Sequence, residues 1–331
     1  MIYLLLILIL NYFLYFFNEK FAQVFNLYDN PDKFRKFHKT KVPLTGGIII
    51  SLNAIFALIC TIIDQFYYKN FYIFDSNIDL IIFFISVLAF FLVGFYDDKY
   101  NVSANRRFVF ITLILLPIII LSENLMIKQI EFSFTEYSLY LPYNVSVFWT
   151  ILCFLLFINA INMFDGINYQ VGLYSIYLTL FFLINDYFNI FFSFILIGLI
   201  TFIILNHKYK SFLGDSGSYF LAFIFGYFFI KIYNQTEYIK VDHIVLFMII
   251  PGVDLIRLFV MRISKKQNPF KPDRNHLHHI MSKKLNLINT NIIIQSLIII
   301  PSLLGYYFGF TYLFLFFQII IYFCFIFFLD N

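Results

Sequence analysis

The sequence predicts an all-α, polytopic membrane protein with about eleven (10–11) transmembrane helices, N-terminus outside and C-terminus cytoplasmic. Three observations carry this expectation. Hydrophobic residues make up 61% of the 331-residue chain and charged residues only 13%, against about 25% charged in a soluble domain. So little polar surface could not cover a water-soluble core, and lipid is the solvent that suits it. The apolar residues fall in separated runs close to the roughly 20 residues a helix needs to cross a bilayer. Lys and Arg gather on one side of the loops that those runs define.

Taken in order, the candidate spans are centred in residues 1–17, 47–63, 78–96, 107–121, 147–161, 171–184, 188–206, 217–233, 243–261, 291–308 and 310–328. The first has no basic region ahead of it and is followed by Glu19 and Lys20 rather than by the small residues of a cleavage site. It therefore reads as an uncleaved anchor and not a signal peptide. Very short turns join 171–184 to 188–206 and 291–308 to 310–328, so the count of eleven turns on those pairs. Alternation then puts segments 18–46, 97–106, 162–170, 207–216 and 262–290 and the C-terminus on one side. With Arg107 and Arg257 assigned to the ends of their helices, that side holds all 23 Lys and Arg except Lys69, Lys128, Lys231 and Lys240. Positive charge marks the cytoplasmic face. The formal net charge of +4 is thus an orientation signal, and no nucleic-acid partner is expected. With no internal repeat, low-complexity linker or separate soluble part, residues 1–331 read as a single integral-membrane domain. Cys60, Cys153 and Cys324 lie inside apolar runs without CxxC spacing, which favours packing over a disulfide or zinc framework.

Charge near the membrane is expensive and calls for a reason. On the external side Asp64, Asp75, Glu123 and Glu136 are scattered and read as solvated loop charges. The internal acids keep company with Gly, Asn and basic residues. Asp97 and Asp98 precede Lys99, Arg106 and Arg107; such a pair either caps a helix among cations or holds Mg²⁺ or a proton at a phosphate site. In Asn159-x-x-Asn162-x-x-Asp165-Gly166-x-Asn168, the first two amides share a helix face and Asp165-Gly166 ends the helix in a turn. These groups suit either capping or hydrogen bonds to a nucleobase or ribose. The run Phe212-x-Gly214-Asp215-Ser216-Gly217-Ser218 stands just before an apolar helix. It reads as an N-cap or as a phosphate site built on helix-terminal amides, with Asp215 holding a divalent cation against the phosphate. Lys208 and Lys210 favour the anionic ligand.

Half of the six histidines, His276, His278 and His279, cluster near Lys271 and Arg274. They fit hydrogen bonds to a pyrophosphate or sugar better than a zinc site, which would want finger or helical spacing; an accidental solvated cluster is the other reading. The stretch from His38 and Lys39 to Gly46-Gly47 leads from a basic loop into the second span, and its cations also serve as positive-inside anchors. Asp254 and Arg257, within one turn of each other, read as a local ion pair.

The order and spacing of these elements resemble one family. Asp29-Asn-Pro31…Arg35-Lys36-x-His38…Pro43-x-x-Gly46-Gly47 is followed by Asp97-Asp98…Arg107, Asn159-x-x-Asn162-x-x-Asp165-Gly166, Gly214-Asp215-x-Gly217-Ser218 and Pro272-Asp273-Arg274-x-His276-x-His278-His279. From about residue 29 to 280 the chain resembles the polyprenyl-phosphate N-acetylhexosamine-1-phosphate transferases of glycosyltransferase family 4, and most closely the undecaprenyl-phosphate GlcNAc-1-phosphate transferase branch. The peptidoglycan branch, which uses UDP-MurNAc-pentapeptide, has Tyr-Glu after its histidine motif, where Ile280 and Met281 stand here.

The resemblance implies a reaction in which undecaprenyl phosphate attacks the β-phosphate of a UDP-N-acetylhexosamine, with Mg²⁺ or Mn²⁺, in the bacterial inner membrane. It implies Asp215 and Asp98 as metal ligands. Asp97 and Asp98 would orient or deprotonate the lipid phosphate, with Arg107 beside them. Asn159, Asn162, Asp165, Gly166, Asn168 and Phe212 would serve uridine and ribose, with Lys39 nearby, and Arg274, His276, His278 and His279 the sugar pyrophosphate. Arg107 stands where the family commonly has Lys, a change of geometry at a phosphate, and Asn168 stands where the peptidoglycan branch has Asp. A homodimer is compatible with this reading. The rival class is a lipid or sugar transporter, which would place its ionisable residues near the bilayer midplane, often in repeated halves. Here they gather at one face.

Overall fold

The computed structural model describes residues 2–31, 40–68, 74, 76–269 and 273–330. Helices dominate: α1 (Ile2–Phe25), α2 (Gly46–Tyr68), α3 (Asn77–Tyr100), α4 (Ala104–Leu121), α5 (Tyr143–Phe164), α6 (Gln170–Ile184), α7 (Asn189–His207), α8 (Gly214–Gln235), α9 (Val241–Ser264), α10 (Leu277–Lys284), α11 (Leu287–Phe308) and α12 (Thr311–Asp330). Two small antiparallel ribbons interrupt them. β1 (Tyr28–Asp29) pairs with β2 (Val42–Pro43), and β3 (Gln129–Glu131) with β4 (Ser138–Tyr140).

Among the described residues ten helices are long and apolar enough to cross a bilayer. The expected eleventh, α6, has 15 residues, about 22 Å at 1.5 Å per residue against a hydrocarbon core of about 30 Å. Ten lies within the 10–11 spans expected from the sequence, and α6 belongs to one of the two tight-turn pairs on which that count turns. The loop 262–290 also contains a helix, α10, that apolar runs could not reveal because it is short and polar. Helix ends follow local chemistry. The Ser76 side chain caps α3 by accepting from Asp79 N at 3.1 Å, and Asn286 caps α11 by accepting from Asn289 N at 2.8 Å. Asn101, in the left-handed region at φ 49°, ends α3.

The chain divides into two compact units, each built from two stretches of sequence. The first comprises Met1–Phe110 and Val171–Leu221, the second Ile111–Gln170 and Ala222–Asn331. In the first, α2 packs chiefly against α7, and α1 lies against both. Side-chain amides hold this packing together where lipid supplies no hydrophobic drive. Asn11 Nδ2 donates to Asn53 Oδ1 at 2.6 Å, and Asn53 Nδ2 returns a bond to Asn11 Oδ1 at 3.1 Å. Phe212 N donates to Pro43 O at 2.8 Å, and Gly46 N and Gly47 N donate to Phe212 O and Leu213 O at 3.0 Å each. The entry to α8 is thus stitched to the entry to α2. Outward-facing Leu4, Leu5, Leu8 and Phe16 on α1 are exposed, as a lipid-facing surface requires.

In the second unit α9 packs against α5, α11 and α12, and α10 against α11 and α12. Polar bonds again fix the packing. Asn291 Nδ2 donates to Asn168 O at 3.0 Å and Gln295 Nε2 to Gln170 O at 2.9 Å, tying the 168–170 turn to α11. At the other end of α9, buried Asp242 accepts from Ser133 N at 2.8 Å and from the hydroxyls of Ser133 and Thr311. This carboxylate holds the β3–β4 ribbon to α9 and α12.

Candidate active site

The carboxylates Asp97 and Asp98 end α3 in the first unit, and adjacency in sequence gives them different partners. The left-handed Asn101 turns the chain so that Val102 N donates to Asp97 Oδ1 at 2.8 Å. On Asp97 Oδ2 converge Arg107 Nη1 at 3.2 Å and Tyr219 Oη at 3.0 Å. Asp97 is buried, 2% exposed, and its charge is compensated by a cation and two neutral donors, the condition under which burial of a carboxylate is tolerated.

Asp98 turns the other way. Its Oδ1 accepts from Asp215 N at 2.7 Å and its Oδ2 from Ser216 N at 3.0 Å. The first free amides of α8 are thus capped by a carboxylate from α3, which satisfies orphan donors and places negative charge at the positive end of the helix. Two glycines make this approach feasible. Gly214 adopts φ +74°, and a Cβ there would lie 2.7 Å from Asp98 Oδ2; a Cβ on Gly94, one turn before Asp97, would lie 2.5 Å from Ser216 Cα. Asp215 itself sits half-buried in the first turn of α8 and bears electrostatically on Arg107 and Tyr219.

A divalent cation would draw on Asp98 and Asp215. Each Asp98 oxygen accepts one amide and retains a second lone pair. Mg²⁺ is commonly held by one or two carboxylates plus substrate phosphates and keeps several waters, and this donor set fits that habit. Among the described residues no group of three or more His, Cys, Asp or Glu is placed to hold a metal ion, so substrate phosphates and water would complete the shell. Phe212 belongs to the same unit, half-buried, with its backbone paired to Pro43 and Gly46. Lys39, together with Arg35, Lys36 and His38 before it and Lys271 and Pro272 later in the chain, lies outside the described residues.

The second unit gathers the amide turn and the histidines. Asp165 caps α5, its N–H bonded to Ile161 O at 3.1 Å, and Gly166 N donates to Phe164 O at 2.9 Å. Asn162, Asp165, Gly166 and Asn168 are all half-buried and reachable from solvent. Asn159 donates its amide to Leu155 O at 2.7 Å within its own helix, which commits one of its two amide hydrogens to α5. The ring of His278 packs on Gly166 so closely that any Cβ there would collide with it, and it meets Phe164 edge-on at 6.5 Å. The amide turn and the histidine motif are therefore one constellation.

The loop before α10 is pinned by Arg262, a fully buried side chain that donates from Nε to Asp273 Oδ2 at 3.0 Å and from Nη1 to Pro269 O at 2.7 Å. Burial alone would raise the Asp273 pKa, but the Arg262 bond and the Asn275 amide outweigh it and hold the carboxyl low. Arg274 follows, half-buried. His276 precedes α10 and stacks on His278 with centroids 5.4 Å apart; His278 and His279 meet at 4.2 Å. Burial pushes the His278 imidazole well below its ordinary value. Burial, then the neighbouring His276 and Arg274, lower that of His279 to about 4. Both rings are neutral at pH 7. Asp254 and Arg257 form the expected ion pair at 2.9 Å, and Asp254 also bonds His276 Nδ1 at 2.7 Å and Tyr322 Oη at 2.6 Å. Tyr219 and Tyr322 were not legible as site residues, because tyrosine in an apolar helix is ordinary membrane composition; the signal for Tyr219 is its turn-spaced position after Asp215, and Tyr322, 68 residues from Asp254, carries none.

Comparison with known proteins agrees with this constellation. Residues 80–233 match glycosyl transferase family 4, a stretch that holds α3 to α8 and so the carboxylates, the amide turn and the α8 N-terminus. The undecaprenyl-phosphate alpha-N-acetylglucosaminyl 1-phosphate transferase of Salmonella typhi is 28% identical over 281 residues, covering 81% of this chain and 72% of that protein. The protein of the same name from Thermotoga maritima is 26% identical over 315 residues, covering 92% and 91%, and that from Escherichia coli K12 is 27% identical over 281 residues. With carboxylates, amide turn and α8 N-terminus inside the matched stretch, the chain is similar to glycosyl transferase family 4 over residues 80–233.

Proposed function

We propose that this chain transfers an N-acetylhexosamine 1-phosphate from UDP-GlcNAc or a related UDP-sugar to undecaprenyl phosphate. UMP is released, and a lipid-linked sugar pyrophosphate remains to start a cell-envelope glycan. The observation that carries this reading is the pair Asp97-Asp98, split between an Arg107–Tyr219 clamp and the amides that open α8. It is supported by the similarity to undecaprenyl-phosphate alpha-N-acetylglucosaminyl 1-phosphate transferases. An oxygen of the lipid phosphate forms the new bond to the β-phosphorus, and the bond from that phosphorus to the oxygen bridging it to the α-phosphorus breaks. UMP leaves with the electron pair. The obstacle is repulsion between two anions, so positioning and fixed positive charge supply most of the catalysis.

Each group of residues has a part in this. Arg107, held by Asp97 and Tyr219 and 27% exposed at its side chain, presents a guanidinium oriented in advance to phosphate oxygens. Asp97, with three donors on it, acts through that orientation and not as a free base. Asp98 and Asp215 would hold Mg²⁺ or Mn²⁺, which when bound supplies neutralisation of developing phosphate charge. Asn162, Asp165, Gly166 and Asn168 form the uridine and ribose contacts, with Phe212 and Lys39 assigned to the same task. Arg274 and the histidines serve the sugar pyrophosphate. The one-sided distribution of Lys and Arg supports an inner-membrane orientation with the N-terminus outside and the motifs on the cytoplasmic face, where UDP-sugars are found.

The test is direct. Purified protein given undecaprenyl phosphate, Mg²⁺ and a panel of UDP-amino sugars releases UMP with at least one donor. Folded protein that releases none from any donor overturns the reading.

A further inference from the structure

The three histidines of the motif are not equivalent. His278 is enclosed, 1% exposed, with no hydrogen-bond partner at either ring nitrogen, and it serves the turn at Gly166 through packing. His276 instead meets a carboxylate. Its Nδ1 lies 2.7 Å from Asp254 Oδ2, and that carboxylate is held from every other side. Asp254 Oδ1 accepts from Arg257 Nη2 at 2.9 Å, Tyr322 Oη at 2.6 Å and Leu277 N at 3.2 Å. Arg257 is itself fixed by its Nε bond to Tyr322 Oη and by an Nη2 bond to Asn275 O, both at 2.5 Å. Three donors occupy Oδ1, and Oδ2 is given to the histidine alone. Asp254 and His276 are both buried, 5% and 7% exposed, so water does not compete effectively for the bond.

We propose that Asp254 is a positioning residue for His276. A carboxylate can only accept, so the proton of His276 stands on Nδ1, and Nε2 becomes the ring atom offered to the sugar nucleotide. Tyr322, at the far end of the sequence on α12, and Arg257, one turn along α9, lock the carboxylate that locks the ring. The assignment rests on the reading of His276 as a substrate contact under Proposed function. Carboxylates that orient metal-ligating imidazoles are worth roughly 10- to 100-fold in metal affinity or activity, and the same order is expected here.

Two measurements test it. In ¹⁵N-histidine spectra of the wild-type protein, with the His276 signal identified by its loss in His276→Asn, the ring is expected to carry a proton on Nδ1. A ring protonated on Nε2 alone overturns the proposal and requires no variant of Asp254. In the transferase assay Asp254→Asn, whose amide can donate to Nδ1 and reverse the tautomer, is expected to lower kcat/KM roughly 10- to 100-fold. In the His276→Asn background the same change is expected to add less than about 3-fold, since residues acting through one another are not additive. Additive losses would show that Asp254 supports the fold and not the histidine, and would overturn the proposal. Absence of turnover in the wild type is a failure of the transferase reading instead, and the tautomer measurement still decides the role of Asp254.

Discussion

Replacing Asp98 by Asn separates the structural from the chemical work of the paired carboxylates. Both Asp98 oxygens accept backbone amides at the start of α8, from Asp215 at 2.7 Å and from Ser216 at 3.0 Å. Asn keeps one acceptor and turns an NH₂ group toward the other amide, donor against donor. The loss of one charge-assisted bond is about 1.5–3 kcal/mol, and the loss of a negative charge at a helix N-terminus adds about 0.3–1 kcal/mol. Together these give about 2–4 kcal/mol. At about 2 °C per kcal/mol for a large domain, the expected fall in Tm is about 4–8 °C, read by thermal denaturation in detergent. The fall in turnover is expected to exceed what instability explains at an assay temperature well below both midpoints. A variant that melts within about 1 °C of wild type, below the fall worked from these bonds, would refute the view that Asp98 caps α8.

Asp215→Asn leaves the amides that Asp98 binds in place; it is expected to abolish UMP release while the melting profile stays close to wild type, and retained turnover would remove Asp215 from the cation role. Gly166→Ala drives a Cβ into the His278 ring; displacing a buried ring costs about 1–3 kcal/mol, read as weakened UDP-sugar binding together with a lowered Tm. His279 is depressed to about 4, chiefly by burial, whereas in the unfolded chain it titrates near about 6.5. Between those values the unfolded state binds more protons, so stability present at pH 7 is expected to decline as pH falls from about 6.5 toward 4, by at most about 3 kcal/mol; denaturation midpoints measured across that range check the sign, and midpoints that rise on acidification contradict it.

Much of this was legible in the sequence because the signals are local. Apolar runs and the placement of Lys and Arg declare a membrane protein, and Asp97-Asp98, Gly214-Asp215 and His276-x-His278-His279 can be read without knowing what lies beside them. What was not legible depends on chain geometry. Asp97 and Asp98 look alike in sequence, yet the left-handed turn at Asn101 gives Asp97 to Val102, Arg107 and Tyr219, while the close approach at Gly94 gives Asp98 to α8. Asn159 was read from its spacing to Asn162, which does not reveal that its amide bonds back to Leu155. Asp254 was read correctly as a partner of Arg257, but Tyr322 and His276 reach it from 68 and 22 residues away. The shortness of α6 was legible, because its apolar run, 171–184, is already below the length of a span.

The central claim is that the sugar travels with its phosphate. A UDP-sugar labelled with ³²P at the β-phosphorus, incubated with the purified protein, undecaprenyl phosphate and Mg²⁺, tests it in one measurement. The label is expected in the lipid fraction, with unlabelled UMP in the water phase, in an amount equal to the lipid product. Label that stays with the nucleotide as UDP while the sugar alone reaches the lipid would contradict the claim.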